Sequence, residues 1–351
     1  MKRIAIVVPN NLWVCPYFSI YTRVFDTLGV SYETISWNRD GRAENGIQYN
    51  KQEKSRNLLR VLFSYIMYAQ FVKKTIKKNK YDRLIIFTPQ LGIFLASFLQ
   101  KNYKNRYIFD YRDLSIEQKS FFKKPFIKLL SNSYANVISS PGFKKYLPGG
   151  FDYILSHNFN VDLVKKALAC DEKHYQGKGI PVLTIGAIRV DCNYEVIDAL
   201  GNKEGISLAF IGKGDAAPEL EEYAKTKGYS NVRFEGYYKK EEEPSIYRSF
   251  AVVNIIYPQI PSHQTAVSNR FYNSLIYKRP MLVTKNSTQG DYAEQYHVGL
   301  AVEDCDNLAE KLKTYLKSLD FNRYCKQCNN LLETFLEDQN KLESQINNFI
   351  K

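Results

Sequence analysis

Little in this chain would staple it, anchor it or load it with metal. Its 351 residues include only four histidines and six cysteines. Cys15, Cys170, Cys192, Cys305, Cys325 and Cys328 are scattered through a chain far too long to need disulfides for stability, which fits a reducing compartment. Cys325 and Cys328 make one CxxC on a polar helical stretch, with no second Cys or His pair at zinc spacing. The pair reads as two free thiols, or as a metal or redox pair. His174, His263 and His297 show no ligand spacing, so no metal site and no cofactor are expected. No run reaches the roughly 18 apolar residues that a membrane-spanning helix needs. Met1–Pro9 (MKRIAIVVP) is too short for a secretory signal and reads as a first buried strand. The expectation is a cytoplasmic protein whose membrane contact is peripheral.

Basic charge is plentiful and unevenly placed. Hydrophobic residues make up 44% and charged residues 24%, as in an ordinary soluble globular protein. Residues 1–180 hold 29 Lys and Arg against 13 Asp and Glu, a balance of +16, and residues 181–351 hold 20 against 23, a balance of −3. Such asymmetry points to an anionic partner for the first half only, either nucleic acid or anionic lipid.

Short apolar runs alternate with longer amphipathic ones throughout, the beat of β-α units on a parallel sheet. In the first half the strands are expected at Arg3–Pro9, Ser31–Ile35, Leu84–Thr88, Tyr107–Asp110, Asn136–Ser139 and Tyr153–Ser156, with 38–55 as a polar loop. In the second they are expected at Val182–Ile185, Leu208–Lys213, Val232–Tyr238, Val252–Tyr257, Arg279–Thr284 and Val298–Val302. The fold class is therefore α/β, with two Rossmann-like domains. Their boundaries are placed at 1–165 and 181–320, with a linker at 166–180 and a C-terminal helical tail at 321–351. Ligands of such sheets bind beyond the carboxyl ends of the strands, so two facing domains would bind in a central cleft.

The glycines mark candidate ligand turns. Gly186 ends the first strand of the second half, with Arg189 in the turn behind it, and Gly212-Lys213-Gly214 ends the next strand. Glycine lets backbone N–H groups approach a phosphate, although tight β-α turns also use glycine for geometry alone. Further on, Ser262–Arg270 (SHQTAVSNR) leads into a helix near Asn269, with Arg270 in its first turn. A cation there opposes the helix dipole, which an anionic ligand would offset; the alternative is a solvent-exposed arginine.

The order and spacing from Leu208 to Leu312 resemble the nucleotide-sugar half of a two-domain GT-B glycosyltransferase of the family 4, or group 1, type found in bacterial surface-polysaccharide synthesis. The resemblance is good over Gly212–Val302 and loose over residues 1–130. It implies that Ser268, Asn269 and Arg270 fall where a basic residue grips the donor diphosphate. It also implies that Gly186, Arg189, Gly212, Lys213 and Gly214 form the donor turns, and that Gly236-Tyr237-Tyr238 lines the nucleotide base. Many members carry two glutamates eight positions apart; here those positions hold Thr265 and Asn273. Asn273 can still hydrogen-bond a ribose hydroxyl without charge.

In the first half, Asp110, Arg112 and Asp113 lie just past a strand end. Asp113 is expected either to deprotonate an acceptor hydroxyl or to be held by Arg112 in a structural ion pair. Asn10, Asn11, Pro89 and Gln90 are placed at the acceptor pocket by position, and Arg112 is counted with them. With Arg270, Asp113 makes the expected catalytic set, and Arg270, Arg189 and Lys213 would neutralise the leaving diphosphate. His157, at the domain exit, reads as a hinge or capping residue.

Asn57–Lys80 and Ser120–Leu130 combine aromatic and aliphatic residues with lysines. They are either helices lying in a membrane interface or core-facing helices with solvated lysines. No nucleic-acid recognition motif appears, so no nucleic-acid partner is expected. The resulting expectation is a glycosyltransferase, retaining by resemblance, that moves a sugar from a nucleotide-sugar to a hydroxyl of a lipid-linked or polysaccharide acceptor in capsule, O-antigen or exopolysaccharide synthesis. The alternatives are a non-catalytic scaffold of a membrane-associated assembly complex and a nucleotide-sugar epimerase.

Overall fold

The computed structural model describes residues 2–53, 55, 57–189 and 193–351. Cys192 therefore lies outside the described residues. The chain divides into two compact units, Met1–His157 with Glu337–Lys351, and Asn158–Leu336.

The first unit carries a seven-stranded parallel sheet made of β1 (Ile4–Val7), β2 (Tyr32–Asn38), β3 (Ile47–Asn50), β4 (Arg83–Phe87), β5 (Tyr107–Tyr111), β6 (Ala135–Ile138) and β7 (Tyr153–Leu155). Its order is β3-β2-β1-β4-β5-β6-β7. The strands are apolar on both faces, as a sheet covered on both sides requires. Ala5, Val7, Leu84, Ile86 and Phe109 pack on one face with the helices Leu58–Asn79, Pro89–Tyr103 and Ser120–Ser131. Ile4, Ile6, Val8, Ile85 and Ile108 pack on the other with the helix Ser19–Thr27 and with Leu342, Ile346 and Phe349.

The second unit has a six-stranded parallel sheet made of β8 (Ile180–Ile185), β9 (Ile206–Ile211), β10 (Val232–Glu235), β11 (Val252–Ile255), β12 (Met281–Thr284) and β13 (Gly299–Val302). The order is β10-β9-β8-β11-β12-β13. It too is buried on both faces, with Leu183, Ile185, Val253, Ile255 and Val283 on one and Val182, Leu208, Phe210, Val252 and Leu282 on the other.

Three features depart from the sequence expectation. The polar segment 38–55 contains the edge strand β3, which pairs parallel to β2 with Ile47 opposite Ile35; its sequence IQYN lacks the apolar run that marks the inner strands. The chain passes between units after His157, and the expected linker is partly helical: Val161–Ala169 buries Val164 and Ala167 in the second core. The segment 321–351 is not a separate tail. It is one 30-residue helix, Phe321–Ile350, whose apolar stripe is divided between the two units: Tyr324, Cys328, Leu331 and Phe335 enter the second core, and Leu342, Ile346 and Phe349 the first. Cys328 is buried there, with its thiol pushed up to about 12 by burial, so it behaves as an inert core residue.

His157 is buried, with Nε2 3.2 Å from Asp338 Oδ2 on that helix. Burial holds His157 below its ordinary 6.5. The folded state then binds fewer protons than the unfolded chain as pH falls, so this contribution is fully present above about pH 6.5 and is lost below it. Urea midpoints are expected to fall between about pH 7.5 and 5, and His157→Gln to flatten that part of the profile.

Candidate functional site

Each sheet reverses strand order once, between β1 and β4 in the first unit and between β8 and β11 in the second. Ligands of doubly wound sheets enter the crevice at such points, past the carboxyl ends of the strands.

In the second unit, β8 runs out at Ile185 into Gly186, whose φ is +93°. The turn after β9 lies hard against it. A Cβ on Gly212 (φ +135°) would stand 2.1 Å from the Gly186 oxygen, and one on Gly214 1.9 Å from the Ile188 oxygen. Packing of one turn on the other thus demands both glycines before any ligand is considered. The N–H groups of Gly186 and Gly212 continue the sheet, donating to Ile211 O and Glu235 O at 2.9 Å each. Those of Lys213 and Gly214 have no partner among the described residues. Arg189 is exposed, and Lys213 is exposed with Nζ 5.7 Å from the Tyr237 ring centroid.

Arg270 is not the solvent-exposed arginine of the alternative reading. It is 7% exposed and folds back over the end of β8, where Nε donates to Ile185 O and Nη2 to Ala187 O at 3.0 Å. Its guanidinium carbon stands 5.7 Å from the Tyr257 ring centroid. Two of its five donors are engaged, and no carboxylate pairs with it among the described residues. A buried guanidinium without a carboxylate partner among the described residues thus stands at the carboxyl end of β8, where an anion would offset its charge.

Ser268 and Asn269 serve the local structure. Ser268 caps the helix Asn269–Ile276, accepting from Phe271 N at 3.4 Å, and donates to Gln289 Oε1 at 2.7 Å. Asn269 Oδ1 accepts from Asn158 Nδ2 at 3.0 Å. Thr265 is fully buried and its hydroxyl donates to Pro261 O at 2.8 Å, within its own helix.

Tyr238 and one residue that the sequence reading did not single out, Glu243, complete the crevice. Tyr237, expected to line a base, is 74% exposed, whereas Tyr238 turns in until its hydroxyl stands 4.0 Å from where a Gly186 Cβ would be. Tyr238 donates to Glu243 Oε1 at 3.1 Å, and Asn273 Nδ2 lies 3.4 Å from Glu243 Oε2. Burial and the neighbouring Glu243 push the Tyr238 hydroxyl above its ordinary value, so it is a donor at neutral pH. The Lys-Lys-Glu-Glu-Glu run of 239–243 gives no sign in sequence of which carboxylate turns inward.

In the first unit the acceptor set is rearranged. Asn11 is fully buried and saturated: Nδ2 donates to Asn38 Oδ1 (3.2 Å) and Glu44 Oε2 (3.3 Å), and Oδ1 accepts from Arg39 N (2.9 Å) and Asp40 N (3.3 Å). It clasps the β1 and β2 loops and has nothing left for an acceptor. Asn10 is half-buried, with Oδ1 on Asn11 N at 2.9 Å. Pro89 is buried at the first position of its helix. The preceding Thr88 takes φ +67°, a costly conformation for a β-branched residue, with its buried Oγ1 unpartnered among the described residues.

Arg112 pairs with Asp110, not Asp113. Residues two apart share a strand face, so Asp110 and Arg112 meet at the end of β5. Nη2 donates to Asp110 Oδ2 at 2.6 Å, and Nε stands 2.6 Å from Oδ1 without hydrogen-bond alignment. Tyr21 OH (2.7 Å from Oδ2) and Ser156 complete this fully buried group. The Arg112 guanidinium is thereby withdrawn from acceptor contact. Asp113 is exposed and has no hydrogen bond or ion pair among the described residues; desolvation raises its carboxyl above the ordinary range.

Among the described residues, no group of three or more His, Cys, Asp or Glu side chains could hold a metal ion. The chain does contain one Asp-x-Asp, Asp304-Cys305-Asp306, in the loop after β13; Asp304 Oδ1 accepts from Asp306 N at 3.0 Å and Lys311 Nζ at 3.4 Å, so it orders its own loop.

No family model matches the chain, and no curated protein matches it. Solved structures do. A sucrose-phosphate synthase from Thermosynechococcus elongatus superposes with a TM-score of 0.73 at 12% identity, covering 100% of this chain and 99% of that one. Anabaena HepE, solved in complex with UDP, gives 0.68 at 12% identity over 99% and 100%. WaaG, a glycosyltransferase involved in lipopolysaccharide biosynthesis, gives 0.63 at 12% identity over 98% and 99%. The chain has the GT-B fold of these glycosyltransferases, as the sequence resemblance implied.

Arg112→Leu would strand the Asp110 carboxylate in the core and is expected to cost about 3–5 kcal/mol in urea unfolding. The double variant with Asp110→Asn is expected to recover a substantial part of that loss, which a double-mutant cycle reads directly.

Proposed function

We propose that this protein is a glycosyltransferase that moves a sugar from a nucleotide-sugar to a hydroxyl acceptor, without a metal clamp on the donor. The observation that carries the reading is Arg270: a buried guanidinium with three donors unengaged among the described residues, beside the Gly186 turn at the switch point of the second sheet. A departing diphosphate is the anion whose geometry and charge such a group matches, and a fixed cation there lowers the barrier as negative charge builds on the leaving oxygen. Lys213 and the N–H groups of Lys213 and Gly214 supply further donors, and Asn273 is placed to meet the ribose. Asp113, unpartnered and raised above its ordinary value, is the group that would orient or deprotonate the acceptor hydroxyl.

The acceptor is proposed to be a lipid-linked glycan or growing surface polysaccharide. Support comes from the helices Leu58–Asn79 and Ser120–Ser131 on one face of the first sheet. They expose Leu58, Leu59, Phe63, Phe121 and Ile127 among Arg60, Lys119, Lys123, Lys124 and Lys128. No helix among the described residues is long and apolar enough to cross a membrane. Exposed apolar groups ringed by lysine fit an anionic bilayer surface, where each basic residue contributes about 1 kcal/mol. On this reading the protein works in the cytoplasm, at the inner face of the membrane. A non-catalytic scaffold of the same fold is the second reading. It is favoured by Thr265, whose buried hydroxyl is engaged within its own helix where the resemblance puts a sugar-contacting glutamate.

The melting temperature is expected to rise with one of UDP, GDP or CMP, or its sugar conjugates, as native-state binding requires. Arg270→Lys should abolish that rise while the protein stays folded, and Asp113→Asn should keep it while stopping turnover. No rise with any nucleotide would favour the scaffold. Flotation with anionic vesicles is expected to weaken with salt, and replacing Leu58, Leu59 and Phe63 by serine should reduce it several-fold without changing nucleotide binding. Equal flotation with neutral vesicles would count against the membrane reading.

A further inference from the structure

We propose that Glu243 recognises the vicinal hydroxyls of a ribonucleotide in the second-unit crevice, with Asn273 beside it, and so sets the preference for ribose over deoxyribose. This rests on the nucleotide-sugar reading above and deepens it.

Within the run 239–243, Glu241 and Glu242 are exposed, while Glu243 is only 8% exposed. Three donors surround its carboxylate: Tyr238 OH at 3.1 Å from Oε1, and Lys240 Nζ at 2.5 Å and Asn273 Nδ2 at 3.4 Å from Oε2. An ionised carboxylate has about four acceptor positions. That leaves one position open, and the Asn273 contact, at the long limit of a hydrogen bond, can give way to a second incoming hydroxyl. A surface pair with Lys240 alone would leave the carboxyl in water and add little to stability. Here the arrangement is reversed: the lysine side chain is 71% exposed and the glutamate's 11%. Burying a carboxylate is unfavourable unless it is well hydrogen-bonded, and hydroxyl donors from a ligand are the charge-assisted bonds that would complete it.

Position 273 makes sense in the same terms. A glutamate there would set a second carboxylate against Glu243, and like charges at that range force one of them to stay protonated. An amide relieves the conflict and donates instead. The acidic function that the sequence resemblance expects at 273 is thus carried by a different element, the turn after β10. Tyr238, which bonds Glu243 and overhangs Gly186, ties this carboxylate to the turn that Arg270 braces.

The test is calorimetric titration of the full chain with UDP, GDP, 2′-deoxy-UDP and 2′-deoxy-GDP. The native protein is expected to bind one ribonucleotide about tenfold or more tighter than its deoxy form, the worth of one charge-assisted hydrogen bond. Glu243→Gln should still bind through the diphosphate but lose that preference. The double variant Glu243→Gln with Asn273→Glu should regain it, because the carboxylate returns to the same space, an outcome a merely structural role would not give. If Glu243→Gln is too unstable to titrate, the double variant decides: discrimination in it supports the proposal, and binding without discrimination overturns it. Nucleotide binding with no ribose preference in the native protein, or full preference in Glu243→Gln, overturns the proposal and leaves the transferase reading standing. No binding of any nucleotide overturns both.

Discussion

The second unit's site depends on one contact: the carboxyl end of β8 meets the turn after β9 at a distance only glycine permits. Side chains at 212 and 214 would collide with the carbonyls of Gly186 and Ile188. With the two turns held together, the carbonyls of Ile185 and Ala187 present themselves as acceptors, and Arg270 closes over them. A guanidinium held by carbonyls alone is oriented by main-chain dipoles without being paired to an opposite charge. A carboxylate partner would have produced a salt bridge and an inert core. The same arrangement that finishes the sheet therefore leaves a fixed positive centre at the crevice mouth.

The first unit solves the equivalent problem differently. Its buried arginine, Arg112, is neutralised by Asp110 and held by Ser156, so the positive charge at the end of β5 is turned inward. That pairing releases Asp113 from the ion pair that adjacency in sequence suggested, and leaves it with its carboxyl raised. Among the described residues, the second unit thus carries a buried cation without a carboxylate and the first a carboxylate without a hydrogen-bond or ion-pair partner.

Legibility in the sequence followed burial. Strands covered on both faces read as apolar runs and were placed to within a few residues, as β1, β4, β8 and β11 show. The edge strand β3 did not, because IQYN lacks an apolar run, and the helix Val161–Ala169 did not, because nine residues are too few for its period to stand out. At the site, glycines and Arg270 were visible because the turns require them. The structural bonds of Asn11 and Arg112 were hidden for a common reason: polar residues near a strand end look like ligand contacts until their partners are known, and those partners lie at 38–44 and at 110 and 156. Glu243 was hidden in a charged run that looks uniformly solvated.

The exchange at 273 and 243 shows what a fold constrains and what it leaves free. A crevice at a strand-order switch fixes where a ligand sits, but an acceptor group for its hydroxyls can come from any segment that reaches that space. The helix Asn269–Ile276 approaches it from one side, and the turn after β10 from another. Only one of the two can carry an ionised carboxylate, since two would repel at the 3.4 Å that separates Asn273 Nδ2 from Glu243 Oε2. An amide at 273 with a carboxylate at 243 satisfies that constraint as well as the reverse would. The lack of a glutamate at 273 therefore does not empty this space of an acidic group: Glu243, bonded by Tyr238 and Asn273, stands there instead.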